Sequence, residues 1–332
     1  LDPNPAQKTY KTNLEDLTIN GSQKAQGLLK GPLLKSKISD DRQATLAFEI
    51  EWIDNTKAQL RVNNKSILLE KDRWSPFIEL TFKIKLGVSV RAITQALLTE
   101  NTHGPGVYFL PLQIHPLKTV WPYANPGSFA KGLWKKICPY HTLGWPQDTT
   151  ALDEGFINDD HFLDLCDAIL ETREEVFLRQ IQTFDEGILA IVFDSLDRIQ
   201  HMFWRDREDI IESWYLKLDS LFGRIEDKVK ECGHQDARIL VISDHGFNVF
   251  DHKVHLNRWL IDHDYLVPST DKVQGAVQDI LWKKSRAYAI GLSSIYLNRS
   301  GRERDGIVTD DEHNSLSTQI KDALLSWEGP DK

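Results

Sequence analysis

Two couples of an acid with an imidazole mark where this chain could do chemistry. In FDSLDRIQHMFW, residues 193–204, Asp197 precedes His201 by four positions, and in SDHGF, residues 243–247, Asp244 stands beside His245. Side chains four apart on a helix share one face, with Cβ atoms about 5–6 Å apart, close enough to hold one cation between them. Asp and His supply a mixed oxygen and nitrogen donor set, which suits zinc, manganese or iron better than calcium or magnesium. Gly246 lets the backbone turn sharply after Asp244 and His245, so that adjacent side chains can converge instead of pointing to opposite faces as on a strand. Either couple alone has a plain explanation, a helix-surface pair or a turn. Both together, each at the end of a hydrophobic run, are hard to explain as turn chemistry.

The elements that must position them follow from periodicity. GILAIVF (187–193) and ARILVIS (237–243) are continuous apolar runs of the kind expected for strands buried on both faces. Between them Ile210, Ile211, Trp214, Leu218, Leu221, Phe222, Ile225 and Val229 form one apolar helical stripe that Gly233 ends. Strand, long helix and strand make a βαβ unit with parallel strands and a right-handed crossover. Ligands of open parallel sheets bind beyond the carboxyl ends of the strands, and both couples follow such ends. Upstream, Asn158 and Asp159 start a long amphipathic helix carrying Phe162, Cys166, Ile169, Phe177 and Ile181. Downstream, RAYAIGLSSIYLN alternates as strands do, and a helix with Leu316, Ile320, Leu324 and Trp327 is ended by Gly329-Pro330.

The first part of the chain reads differently. Residues 1–40 are polar and are expected as connector or coil. From Thr45, TLAFEIEWI alternates with period two, and AQLRVN, SILLE and FIELTFKIKLG continue the pattern, with Asn63-Asn64 as a hairpin turn. VRAITQALL fits strand or short helix. HPLKTVWPYANPGS is a Pro/Gly boundary. The expected divisions are a connector at 1–40, a β-rich insert or cap at 41–128 and an α/β core bearing the metal site at 129–332. The fold class expected is α/β, with a parallel-sheet core and an inserted antiparallel β-rich section.

The 332 residues, 41% hydrophobic and 27% charged, are enough to bury a sizeable core. A net charge of −9 argues against bulk attraction to nucleic acid or anionic membrane. Cys138, Cys166 and Cys232 have no metal-ligand spacing and are expected as buried thiols, and no apolar run is long enough to span a bilayer. The cysteines, with a start that has no signal-peptide character, point to the cytoplasm. The single Met, Met202, is internal, and position 1 is expected to lie within a longer protein.

DRIQHMFW, VISDHGF, HLNRWLIDHDYL, RAYAIGLSSIYLNRSGRERDGIV and YHTLGWPQDTTALDEG together resemble the predicted phosphohydrolase/phosphomutase branch of the alkaline phosphatase superfamily, related to type I phosphodiesterases and nucleotide pyrophosphatases. The resemblance covers roughly residues 70–310. It implies an alkaline-phosphatase-like core and two divalent metal ions, zinc first, with manganese or iron as alternatives, acting on a small-molecule phosphate ester. Asp197 and His201 match two ligands of one metal, Asp244 and His245 two ligands of the other. Paired cations of this kind stabilise the attacking and leaving oxygens of an in-line displacement at phosphorus. Members of that branch also carry a Ser or Thr nucleophile near the start and a last histidine ligand near the end, for which no matching motif is seen here. The chain is therefore expected to be an internal portion without its nucleophile, inactive or incomplete alone.

Around this set, His252 and His255 are candidate metal or phosphate contacts, against a plainer reading as solvated loop histidines. Asp194 is a candidate for orienting a ligand imidazole or for capping a helix. Arg198 could clamp a phosphate or lie on a solvated helix face. Phe203 and Trp204 could stack on an aromatic leaving group or belong to the core. Trp145 and Asp148 lie in a loop that carries the resemblance, without a derivable role. The leading reading is a metal-dependent phosphohydrolase or phosphodiesterase. A phosphomutase and a non-catalytic, metal-stabilised ligand-binding module are the alternatives, and a sulfatase is disfavoured because its specialised nucleophile motif is not seen.

Overall fold

The computed structural model describes residues 15–19, 22–34, 42–85, 87–101, 104–117, 123–137, 139–234, 236–269, 280–291 and 294–328. The chain divides into two compact units, Leu1–Asn248 and Val249–Lys332.

The first unit begins with β-structure. Strands β1 (Glu15–Ile19), β2 (Ser22–Leu34), β3 (Arg42–Asp54), β4 (Lys57–Val62) and β5 (Lys65–Glu70) form an antiparallel sheet in sequence order. Strands β6 (Ile78–Lys85) and β7 (Val88–Thr94) pair, β8 (Ala96–Asn101) pairs with β9 (Gly104–Phe109), and β10 (Gln113–Ile114) adds to the outer edge of β7. Leu29, Phe48, Ile50, Leu60, Leu80 and Phe82 are buried in one core. VRAITQALL, which fitted strand or helix, runs through β7 into β8. The Asn63-Asn64 turn joins β4 to β5, with φ of 51° and 61°. Asparagine tolerates those left-handed values better than most residues.

The expectation of connector or coil at residues 1–40 is corrected for the described part, because β1 and β2 occupy it and β2 pairs along β3. The misleading residues are glycines. A Cβ on Gly27 would collide with the Phe48 ring and one on Gly31 with the Phe82 ring, so glycine here makes room for an aromatic.

Helices α1 (Gly127–Ile137), α2 (Thr149–Asp153), α3 (Asp159–Thr183), α4 (Ser195–Phe203) and α5 (Glu208–Glu231) follow. Asn158 caps α3, its side chain accepting from His161 N at 2.9 Å. The buried face of α3, with Phe162, Leu165, Cys166, Ile169 and Ile181, meets Ile210, Ile211, Trp214, Leu221 and Ile225 of α5 in a core that also holds Ile199 and Phe203 of α4. Gly233, at φ 79°, follows the end of α5. Cys166 is buried, Cys232 is half-buried, and Cys138 lies outside the described residues.

The two apolar runs depart from expectation. Residues 187–193 and 237–243 join no strand ladder, and Ile188, Leu240 and Ile242 are 94%, 83% and 90% exposed. Reading them as strands buried on both faces is corrected for this chain. Such burial needs strands on both edges and cover on both faces, and among the described residues neither run has a ladder partner.

In the second unit, α6 (Leu256–Asp262), a 3₁₀ turn (Trp282–Lys284), the hairpin β11 (Ala287–Ile290) with β12 (Ser294–Leu297), and α7 (Asp310–Leu325) surround Trp259, Leu260, Tyr288, Leu316 and Ile320. Thr309 and Glu312 form a capping box that starts α7. The helix ends at Leu325, before Gly329 and Pro330, which lie outside the described residues. None of the described helices is long and apolar enough to cross a membrane.

Candidate functional site

Helix α4 carries the first couple. Its inner face, Ser195, Ile199 and Phe203, is buried, which turns Asp197 and His201 toward the opposite side. Nε2 of His201 lies 3.6 Å from Oδ1 of Asp197. The second couple comes to the same carboxylate, with Nε2 of His245 3.8 Å from Asp197 Oδ1 and 3.6 Å from Asp244 Oδ2. Asp197, His201, Asp244 and His245 thus form a chain of neighbours centred on Asp197 and His245.

Asp197 Oδ1 is buried and has no hydrogen-bond partner, an arrangement that costs free energy unless something positive reaches it. On His245, Nδ1 lies 3.1 Å from the Gly246 carbonyl oxygen, which can only accept, so that nitrogen carries the proton. In the neutral ring Nε2 then presents a lone pair toward two carboxylate oxygens. Acceptors facing acceptors fit a cation between them. The residues therefore suit a divalent ion at Asp197 Oδ1, although among the described residues no group of three or more His, Cys, Asp or Glu side chains is already arranged to hold a metal. Asp244, 88% exposed, is the least fixed of the four.

Phe247 braces both imidazoles. Its ring centroid is 4.8 Å from that of His201, edge-on, and 5.7 Å from those of His245 and Trp204. The only advance sign of this residue was its place in the SDHGF motif. Phe203, by contrast, is core, packed 6.1 Å from Phe162.

Among the described residues the Asp194 side chain is paired with no imidazole, and it makes no capping bond to α4. It forms a two-pronged ion pair with Arg173 of α3, one arm being Nη2 to Oδ2 at 3.1 Å, and accepts from Gln147 Nε2 at 3.2 Å. Arg173 and Gln147 were not foreseen, because only the fold brings residues so distant in sequence to Asp194. Arg198 is largely buried instead of lying on a solvated helix face. Its Nη1 donates to Asp197 Oδ2, and Cζ sits 3.3 Å from the centroid of Trp145.

Asp148 has a structural role. Its Oδ1 caps α2 by accepting from Ala151 N at 3.0 Å, and its Oδ2 accepts from the Tyr108 hydroxyl at 2.6 Å. Burial, followed by the charge of Asp148, pushes the Tyr108 hydroxyl well above its ordinary pKa. Asp followed by Thr-Thr-Ala-Leu is a helix-start pattern that would have revealed the cap. His252 and His255 belong to the second unit. Both are exposed, and His255 precedes α6 without a side-chain capping bond.

A search of family models matches residues 117–330 to the type I phosphodiesterase / nucleotide pyrophosphatase model. The match spans well over half of the chain. The chain belongs to the type I phosphodiesterase / nucleotide pyrophosphatase family. No curated protein and no solved structure matches it. The matched span contains α1 to α7 and every member of the Asp197 cluster, whereas the five-stranded sheet lies outside it. Family membership indicates a phosphoester hydrolase of the phosphodiesterase or pyrophosphatase type, with small phosphate esters as the class of substrate.

Proposed function

We propose that the chain contributes a divalent-cation site to a metal-dependent phosphodiester hydrolase, with Asp197, His201 and His245 as donors at one ion and Asp244 available to a second. The α/β class remains part of this proposal, with a parallel sheet formed only where residues 187–193 and 237–243 gain ladder partners. Zinc fits the oxygen and nitrogen donors best, with manganese or iron next. The observation that carries the reading is the buried, unpartnered Oδ1 of Asp197 with two imidazole nitrogens 3.6 and 3.8 Å away. A bound cation would neutralise charge developing on phosphate oxygens. The chain's own residues would hold the donors still: Phe247 wedges the imidazoles, and Arg198 occupies the other oxygen of Asp197.

Elemental analysis of the purified chain after zinc loading and dialysis tests this, together with hydrolysis of bis-p-nitrophenyl phosphate with and without chelator. Bound zinc that falls away in Asp197→Asn and His245→Ala supports the reading. No retained metal, or retention unchanged in both variants, contradicts it. Retained metal without turnover would favour a non-catalytic binding module.

A further inference from the structure

We infer that Trp145 is a positioning residue for Asp197, acting through Arg198: the indole fixes the plane of the guanidinium, and the guanidinium occupies Oδ2 so that only Oδ1 faces the imidazoles. The inference rests on the reading of Asp197 as a metal donor.

The side chain of Arg198 is only 13% exposed. Nη1 donates to Asp197 Oδ2, and Nη2 lies 3.9 Å from Asp194 Oδ2. Nε is buried with no hydrogen-bond partner, so hydrogen bonds do not hold that edge of the guanidinium. What lies against its face is Trp145, 3.3 Å from Cζ to ring centroid. Stacking on an indole is the strongest cation–π arrangement, and it restricts a planar fork to one orientation.

The loop that delivers Trp145 is pinned on both sides. Before it, Thr142 N donates to Gln113 Oε1 at 2.7 Å and Thr142 Oγ1 donates to the Ile114 carbonyl at 2.8 Å. After it, Gln147 donates to Asp194 Oδ1 and Asp148 is held by Tyr108. Trp145 itself remains 45% exposed, so this large aromatic is not there to fill a core. With Arg173 on Asp194 and Arg198 on Asp197, two arginines balance two carboxylates behind the site. A carboxylate so held has one oxygen committed and the other aimed. Without the stack, Arg198 is free to leave Oδ2, and Asp197 to rotate.

The test measures zinc affinity of the full chain by competition with a chromophoric chelator, and the visible spectrum of the cobalt(II)-loaded chain, for wild type, Trp145→Leu, Trp145→Phe and Arg198→Lys. Partners that orient metal ligands typically affect affinity by about 10–100-fold, and a loss of that size is expected in Trp145→Leu and Arg198→Lys. Trp145→Phe, which keeps an aromatic face, should recover most of it. The cobalt spectrum at saturation should change in Trp145→Leu, which a merely structural role for the tryptophan would not produce. Equal zinc affinity and an unchanged cobalt spectrum in Trp145→Leu would overturn the inference while leaving the metal site standing. If Trp145→Leu does not fold by circular dichroism, Arg198→Lys decides on the same two readouts. Failure of wild type to bind either metal would remove the proposed site and the inference with it.

Discussion

His141 should make the stability of the first unit depend on acid in a defined window. Its imidazole packs 4.9 Å from Phe77, and Nδ1 accepts from Gln113 Nε2 at 2.8 Å, which requires that nitrogen to be unprotonated. Burial, and secondarily the charge of Arg173, lowers its pKa from 6.5 to about 4. In the unfolded chain the ring takes a proton near pH 6.5, whereas in the folded chain it resists until about pH 4. The unfolded state thus binds more protons between those limits, and stability falls as the pH falls. The contribution is complete above pH 6.5 and lost on approaching pH 4, and a separation of this size corresponds to about 3 kcal/mol. The assay is urea unfolding of wild type and His141→Gln across that range. Glutamine can accept the same Gln113 bond and does not titrate, so any loss of ring packing against Phe77 shifts its curve without tilting it. The stability difference between the two proteins should change by about 3 kcal/mol, with wild type falling more steeply as acid is added. Parallel curves would refute the reasoning.

Other consequences are as direct. Asp148→Ala removes the cap of α2, worth about 1 kcal/mol, and leaves the buried Tyr108 hydroxyl unpaired at about 1–3 kcal/mol more. Adding Tyr108→Phe should recover the second part in a double-mutant cycle, and additive losses would show that the pair is not coupled. Gly31→Ala drives a methyl into the Phe82 ring and should destabilise the sheet by about 1–3 kcal/mol in thermal or urea unfolding, whereas a neutral result would contradict the close approach. Amides of residues 188–193 and 239–243 should exchange with deuterium as unprotected groups, because among the described residues no ladder covers them. Sheet-like protection would show that these runs are already paired in this chain.

Periodicity located the elements whose own residues decide their burial. Helices α3 and α5 follow their apolar stripes, and the β4–β5 hairpin follows Asn63-Asn64, because turn and stripe are local properties. Strand β2 was hidden since Gly27 and Gly31 look like loop residues until the Phe48 and Phe82 rings above them are known. Apolar composition at 187–193 and 237–243 described what those runs could bury, whereas actual burial depends on neighbours that composition does not supply. The four candidate residues, Asp197, His201, Asp244 and His245, were singled out by type and spacing. Their grouping could not be read that way: His245 approaches Asp197 as well as Asp244, and the supports behind them, Arg173, Gln147, Trp145 and Phe247, reach the site only through tertiary packing.

The most direct test of the account is anomalous diffraction from crystals of the chain grown with zinc. A zinc peak beside Asp197 Oδ1, within bonding distance of Nε2 of His201 and of His245, is the predicted result. Zinc at other sites only, with the Asp197 carboxylate bare or its Oδ1 paired to a protein donor, would contradict the account.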